Sequence, residues 1–548
     1  MRPHIALLLF SLPIGLSCFA QSRTSAGVLE ATILNQLDAP IQGAAITLVT
    51  APSNVLARTD TEGHFKLDPV ASGRIEIQIS ATGYAPLVRT LTIQGNERVS
   101  GLIFRLERPG VISGRVVDVD GRPLTGITPQ LLQYRHQFLG SPSLEVARAD
   151  QLDVTLRSRT FSVTPSDDRG EFRVFDVVPG EYYVRLTGPD VPNGKPRLAA
   201  VFYPGVLGVS KAVPVVVTPG HEVRLTDIAL PSATMGWITA HINNLTGEKI
   251  LGVPAGNQFV SIQYPDGDTV ALPEISDTVL GGPAVRPDGP GAYRVCAEFD
   301  VAGPSPSPQI PLLHVSRTNC KTVDYVGLDM TVSFDITKGD AIFSGHVVAE
   351  QSNGSPAKPF EGLSILAQSN NADSVAFRVL SKADGSFATS GGNLHSGSAR
   401  LVAYLGLPPD YFVVSALQEG RDVLSGEMIL SSKPNNIEIL VSPSGARIRG
   451  KVVDRAAQAI PFATVALVPF GPLRNRSDRA HVYRSGVADQ HGEFEFQGVI
   501  PGEYRAYATT TPDGWAYWDD EFMKGFDTGA TVRVNKAARM VLNLVFVN

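Results

Sequence analysis

Cysteine is almost missing from the chain. Of three in 548 residues, Cys18 lies in an N-terminal apolar stretch, which leaves Cys296 and Cys320. In an exported protein two such cysteines are most simply a disulfide, with two buried free thiols as the alternative. A bond between them would staple one domain and not the whole chain, at roughly 3 to 4 kcal/mol in the chain-entropy model. An excess of either charge is missing too: the formal net charge is −6, without a basic stripe. The electrostatic footprint of a nucleic-acid binder is therefore absent. Beyond the N-terminus no run approaches the length of an apolar membrane-spanning helix, and no amphipathic helix of ordinary length stands out.

The motifs of catalysis are also lacking. His221-Glu222 is followed by Val223 and Arg224 with no second histidine, so the zinc-protease helix pattern fails. There is no Gly-x-Ser-x-Gly elbow, no phosphate-binding loop ending in Gly-Lys-Ser and no Cys-x-x-Cys pair. Asp118-Val119-Asp120-Gly121 matches the opening of a calcium loop, but Pro129 stands where the bidentate glutamate belongs. His64 and His491 read as solvated loop histidines. No catalytic residue, metal or cofactor is expected, and the chain reads as non-enzymatic.

What is present is apolar sequence broken by turns. Apolar residues make up 43% and charged residues 18%, enough to bury cores, and the length suits about four or five domains. Met1 to Ala20 reads as a secretory signal peptide: Arg2 and His4 lead, Ile5 to Leu16 are apolar, and Cys18-Phe19-Ala20 offers a cut before Gln21. The alternative is a lipoprotein anchored at Cys18 beside Ser17, although Gly15 stands where an apolar residue is usual. Either way the protein is expected to be secreted, periplasmic or at the cell surface, with no transmembrane helix after cleavage.

The chain repeats itself. Asp60-Thr61-Glu62-Gly63-His64-Phe65 recurs as Asp167-Asp168-Arg169-Gly170-Glu171-Phe172 and Asp489-Gln490-His491-Gly492-Glu493-Phe494, with a shorter copy at Asp384-Gly385-Ser386-Phe387. Ten residues after the glycine of each full copy comes Ser72-Gly73, Pro179-Gly180 or Pro501-Gly502. The aspartate can bond its own backbone two residues on, the glycine takes a left-handed conformation, and the phenylalanine opens an alternating strand. Pro-Gly suits the centre of a type II turn. A third element, Gly114-Arg115-Val116-Val117-Asp118 with Gly121-Arg122-Pro123, returns as Gly450-Lys451-Val452-Val453-Asp454 with Ala459-Ile460-Pro461, and more weakly at Gly345-His346-Val347-Val348 and at Asp38-Ala39-Pro40. Pro290-Gly291-Ala292-Tyr293 marks a further unit. The reading is all-β: five independently folding β-sandwich units at 26–107, 108–231, 232–338, 339–442 and 443–548, the third and fourth being divergent.

The order of these elements in residues 114 to 183 resembles the carboxypeptidase regulatory-like domain of bacterial exported proteins, and 450 to 507 repeat it nearly as well. The resemblance implies tandem transthyretin-like sandwiches of about seven strands, a carbohydrate-binding-like fold. It implies no activity, since a shared fold does not carry a shared function.

Function is then sought in what does not recur. The second unit is lengthened across residues 130 to 161, which contain Arg135, His136, Arg148, Arg157 and Arg159; Arg474, Arg476, Arg479 and Arg484 crowd the corresponding loop of the last unit. Both loops read as solubilising charge on long connections. The remaining candidate is Asp513-Gly514-Trp515-Ala516-Tyr517-Trp518-Asp519-Asp520. Rings at Trp515, Tyr517 and Trp518 beside the carboxylates of Asp519 and Asp520 would suit sugar stacking, although core packing explains them as well. The expectation is a structural, adhesive or binding array of the envelope, whose five sandwiches would reach well over about 100 Å if laid end to end, with a polysaccharide or an envelope protein as partner; carbohydrate binding is the alternative function.

Overall fold

The computed structural model describes residues 26–135, 143–146, 162–188, 197–198, 200–233, 237–245, 259–263, 269–272, 274–276, 279–283, 291–302, 314–326, 328–351, 355–370, 373–389, 394–509, 517, 523 and 529–546. Residues 1–25, and with them the expected signal peptide and Cys18, lie outside this set. Among the described residues the named elements are strands, apart from single helical turns at Val209–Lys211, Gly471–Asn475 and Arg479–Val482.

Five apolar clusters account for most of the core, each drawn from one stretch of chain: Leu29 to Leu106, Ile112 to Leu230, Ile238 to Phe334, Ala341 to Val441 and Ala446 to Leu544. Each fills a two-sheet sandwich of tandem type. Strand alternation builds them. In Ala26–Asn35, Leu29, Ala31 and Ile33 face inward and their neighbours outward, as a half-buried strand requires.

The five sandwiches share one wiring rule. The opening strand of each pairs in parallel with the strand that closes the same sandwich: Ala26–Asn35 with Arg98–Leu106, Gly110–Val117 with Glu222–Arg224, Trp237–Asn244 with Met330–Ile336, Ser344–Ala349 with Ile437–Ser442, and Ala446–Val453 with Arg539–Val541. On its other side it has an antiparallel neighbour, which in four of the sandwiches is the strand that follows the Gly-x-Phe turn.

Register explains why two separate motifs recur together. Gly114 lies opposite Phe172, Gly345 opposite Phe387 and Gly450 opposite Phe494. A Cβ at these glycines would fall 2.7, 2.7 and 2.6 Å from the Cζ of the facing ring. The turn's phenylalanine fills the space beside each glycine, and at Gly345 and Gly450 the backbone carbonyls of Ile437 and Leu542 come closer still, 2.0 and 1.8 Å from such a Cβ. The turns themselves behave as read: Asp60, Asp167 and Asp489 each accept two backbone N–H groups through Oδ1, and Gly63, Gly170 and Gly492 hold φ of +76°, +77° and +73°.

The second turn differs from the type II expectation. Gly180 and Gly502 open the strands Gly180–Thr187 and Gly502–Thr509, and a Cβ at Gly502 would lie 2.1 Å from Leu473 Cδ1. Close approach of a neighbouring loop, not a left-handed turn, reserves that position. The tyrosine two residues on anchors the corner: Tyr182 and Tyr504 donate their hydroxyls to the Val178 and Ile500 carbonyls at 2.7 and 2.8 Å.

Cys296 and Cys320 face one another across the antiparallel pair Gly291–Ala302 and His314–Tyr325, Cα atoms 4.0 Å apart and sulfurs joined. The same hairpin ties the third sandwich to the fourth, because Arg317, Thr318 and Asn319 pair with Val375, Ser374 and Asp373 in one continuous sheet.

The sandwiches contact one another: the third and fourth share a sheet, the fourth and fifth interlock, and the first touches the last. Gln490 donates to the Thr92 carbonyl at 2.7 Å and accepts the Thr92 N–H at 3.1 Å, and the Phe462 ring lies 6.1 Å from Phe104 with the Arg89 guanidinium 5.3 Å away. The last sandwich therefore packs against the first.

Candidate functional site

The densest set of polar groups in the core is at the seam between the fourth and fifth sandwiches. It is built by the loop that follows Thr464–Phe470. That loop turns at Gly471 (φ +66°), makes the short helical turn Gly471–Asn475, runs extended through Arg476 and closes with Arg479–Val482.

Arg476 grips Asp478 with two bonds, Nε to Oδ1 at 2.9 Å and Nη2 to Oδ2 at 2.7 Å, and Nη2 also donates to the Val413 carbonyl at 3.1 Å. The side chains are 8% and 0% exposed. The receiving carbonyl belongs to Phe412–Gln418, whose register slips between Val413 and Ser415. The bulge leaves that carbonyl free to turn toward the loop. Burial works against the Arg476 charge, but hydrogen bonding to Asp478 and its negative charge outweigh burial and hold the guanidinium above its ordinary pKa.

Around this pair two further contacts cross the seam, and a third lies inside the fifth sandwich beside it. His481 Nε2 accepts the Tyr404 backbone N–H at 2.8 Å. Ser477 donates its N–H and its hydroxyl to the Leu424 carbonyl at 2.7 and 3.0 Å. Arg484 Nη2 donates to the Gly498 carbonyl at 3.0 Å, while its buried Nε, like the buried Tyr404 hydroxyl, has no hydrogen-bond partner. Burial lowers the Arg484 pKa and, with Asp478 nearby, raises that of Tyr404. His481 is pushed down to about 4, first by burial and then by the Arg484 charge. An apolar cluster of Phe412, Val468, Val482, Tyr483, Ile500 and Tyr517 fills the space between, and beside it a cleft of about 520 Å³ opens between Val414, Leu424, Phe470 and Leu473, with Asp422 and Glu503 in its lining.

Chemically the arrangement joins two sandwiches. Arg476 and Asp478 neutralise one another, and the His481 lone pair is engaged by a backbone amide. Among the described residues no group of three or more His, Cys, Asp or Glu side chains is placed to hold a metal ion.

Of the expected ligand surface, only Tyr517 is described. It is 7% exposed, its hydroxyl donates to Ser485 Oγ at 2.6 Å, and its ring lies 6.2 Å from that of Tyr483. Its ring packs in the seam, as the core-packing alternative has it. Trp515, Trp518, Asp519 and Asp520 lie outside the described residues, as do His136, Arg148, Arg157 and Arg159. The arginine-rich loop of the last unit was read as solubilising charge. Arg479 is exposed as that reading requires, but Arg476 is buried, bonded to a carbonyl of the fourth sandwich, and Arg484 is half-buried, bonded to the Gly498 carbonyl of its own sandwich. The one hint in the sequence was that this loop does not recur.

Comparison with known proteins finds a family match to part of the chain. Residues 28–107 match the carboxypeptidase regulatory-like domain. No curated protein matches the chain. Among solved structures, GBS52, the minor pilin of Streptococcus agalactiae, is 13% identical over 38% of this chain and 96% of its own, with a TM-score of 0.22. BcpA, the major pilin subunit of Bacillus cereus, is 9% identical over 80% of this chain and 99% of its own, with a TM-score of 0.13. The Bacillus anthracis TIE protein is 10% identical over 86% and 71%, with a TM-score of 0.14. Scores of this size carry no argument about function.

Proposed function

We propose that the chain is a non-enzymatic exported protein whose five sandwiches, at 26–107, 108–231, 232–338, 339–442 and 443–548, form a closed frame that holds binding surfaces for an envelope protein in fixed relative positions. The observation that carries the reading is the contact between Gln490 and Thr92, which joins the last sandwich to the first. Seams this engaged suit a rigid scaffold better than a flexible tether. Export is supported by the Met1 to Ala20 pattern and by the Cys296–Cys320 disulfide, which persists in oxidising compartments. The burial of Tyr517 weakens the polysaccharide alternative, so the partner is taken to be protein.

Small-angle scattering on the full mature chain tests the frame. A closed arrangement keeps its largest dimension well below the length of well over about 100 Å expected of five sandwiches end to end; a profile of a long flexible string would remove the reading. Incubation with peptide, ester and polysaccharide substrates is expected to release no product, and turnover would overturn the non-enzymatic part.

A further inference from the structure

The strand Gly397–Leu405 has an incomplete edge. Met428–Leu430 covers it only from Gly397 to Ala399, and further along the Tyr404 N–H is satisfied by an imidazole from the next sandwich. We propose that His481 makes the seam between the fourth and fifth sandwiches a proton-operated latch, closed while the imidazole is neutral and released when it is protonated.

The geometry decides the sign. Nε2 can accept the Tyr404 N–H at 2.8 Å only through a lone pair. A proton on that nitrogen sets donor against donor and removes the bond. It also adds a positive charge to a buried site that already holds two. The groups acting on the ring are Arg476, Asp478 and Arg484 from its own loop and Tyr404 from the facing strand, whose ring is 5.5 Å away. Asp478 is the one acid among them, and Arg476 engages both its oxygens. A second uncompensated cation has no carboxylate to meet, and the low-cost response is for the loop to leave the fourth sandwich. In keeping with this, the imidazole is held down to about 4, so the latch is closed at neutral pH.

Hydrogen exchange read by mass spectrometry on the full chain, corrected for intrinsic rates, tests the latch between about pH 6.5 and about pH 3.5. Protection of the Tyr404 amide is expected to fall by about tenfold or more across that range, while Ile33 and Ile46 in the core of the first sandwich stay protected. His481→Gln keeps an acceptor but cannot titrate, and should hold protection flat over the same interval. Arg484→Met removes the main charge opposing protonation, and should move the midpoint to higher pH. A flat wild-type profile, a His481→Gln profile that falls in parallel with the wild type, loss of protection in both sandwiches at once, or an unmoved midpoint in Arg484→Met would each overturn the proposal.

Discussion

The fifth sandwich makes two seams, and they are built on opposite principles. Toward the fourth it buries an ion pair, a histidine and an apolar cluster. Toward the first it offers one glutamine amide, one aromatic ring and an outer contact between His491 and Glu97 at 3.4 Å. The first kind of seam joins sandwiches that are neighbours in sequence. The second joins residues 398 positions apart and resembles a clasp. The difference teaches that one sandwich can be held through a dense buried polar network on one side and through a few partly exposed contacts on the other.

The comparison is broken most severely by Asp478→Ala. It leaves the Arg476 charge buried without its partner, and should cost about 3 to 5 kcal/mol, read as a lower midpoint in urea unfolding of the full chain. Acid is the next probe. The folded pKa of His481 is about 4 against an ordinary 6.5, so the folded state binds fewer protons. Stability is then full above about pH 6.5, falls as pH drops toward about 4 at up to roughly 1.4 kcal/mol per pH unit, and levels off below. The part of that loss owed to this group is the part missing in His481→Gln.

On the clasp the effects shrink. Phe462→Ala removes a half-buried ring and its contact with Arg89, a loss of about 1 to 2 kcal/mol, which should appear as an expanded scattering profile with little change in melting of the fourth and fifth sandwiches. Gln490→Ala should cost about 1 to 2 kcal/mol through two lost hydrogen bonds and give the same expansion. His491→Ala, on a partly exposed pair, should change stability by less than about 0.5 kcal/mol. If the clasp variants left the profile compact, the contrast between the two seams would be lost.

Much of the fold was legible because it repeats. Asp60, Asp167 and Asp489 announced their turns through local bonds a few residues long, and such bonds need only local sequence. The role of Gly114 and Gly450 was half legible: their recurrence was plain, but the ring each makes room for lies on another strand. The seams were not legible at all. Arg476 reads as a surface residue until Val413, on a bulge in a different sandwich, supplies its carbonyl. Gln490 sits in a turn shared with other units, at a position held by Thr61 in the first and Asp168 in the second. Nothing local distinguishes a glutamine that caps a distant strand from one that meets water.

That glutamine has a counterpart. Gln418 donates to the Ile429 carbonyl and accepts the Ile429 N–H, both at 2.8 Å, as Gln490 does with Thr92. Ile429 and Thr92 both lie on edge strands. A side-chain amide carries one donor and one acceptor in the geometry of a peptide group, so each glutamine stands in for a single residue of a strand that is not there. An open edge invites pairing with any extended chain, including another copy of the same protein. By filling the outward-facing positions at the edge, the two side chains give these sheets an end, and a protein made almost wholly of strands gains protection against growing into its neighbours.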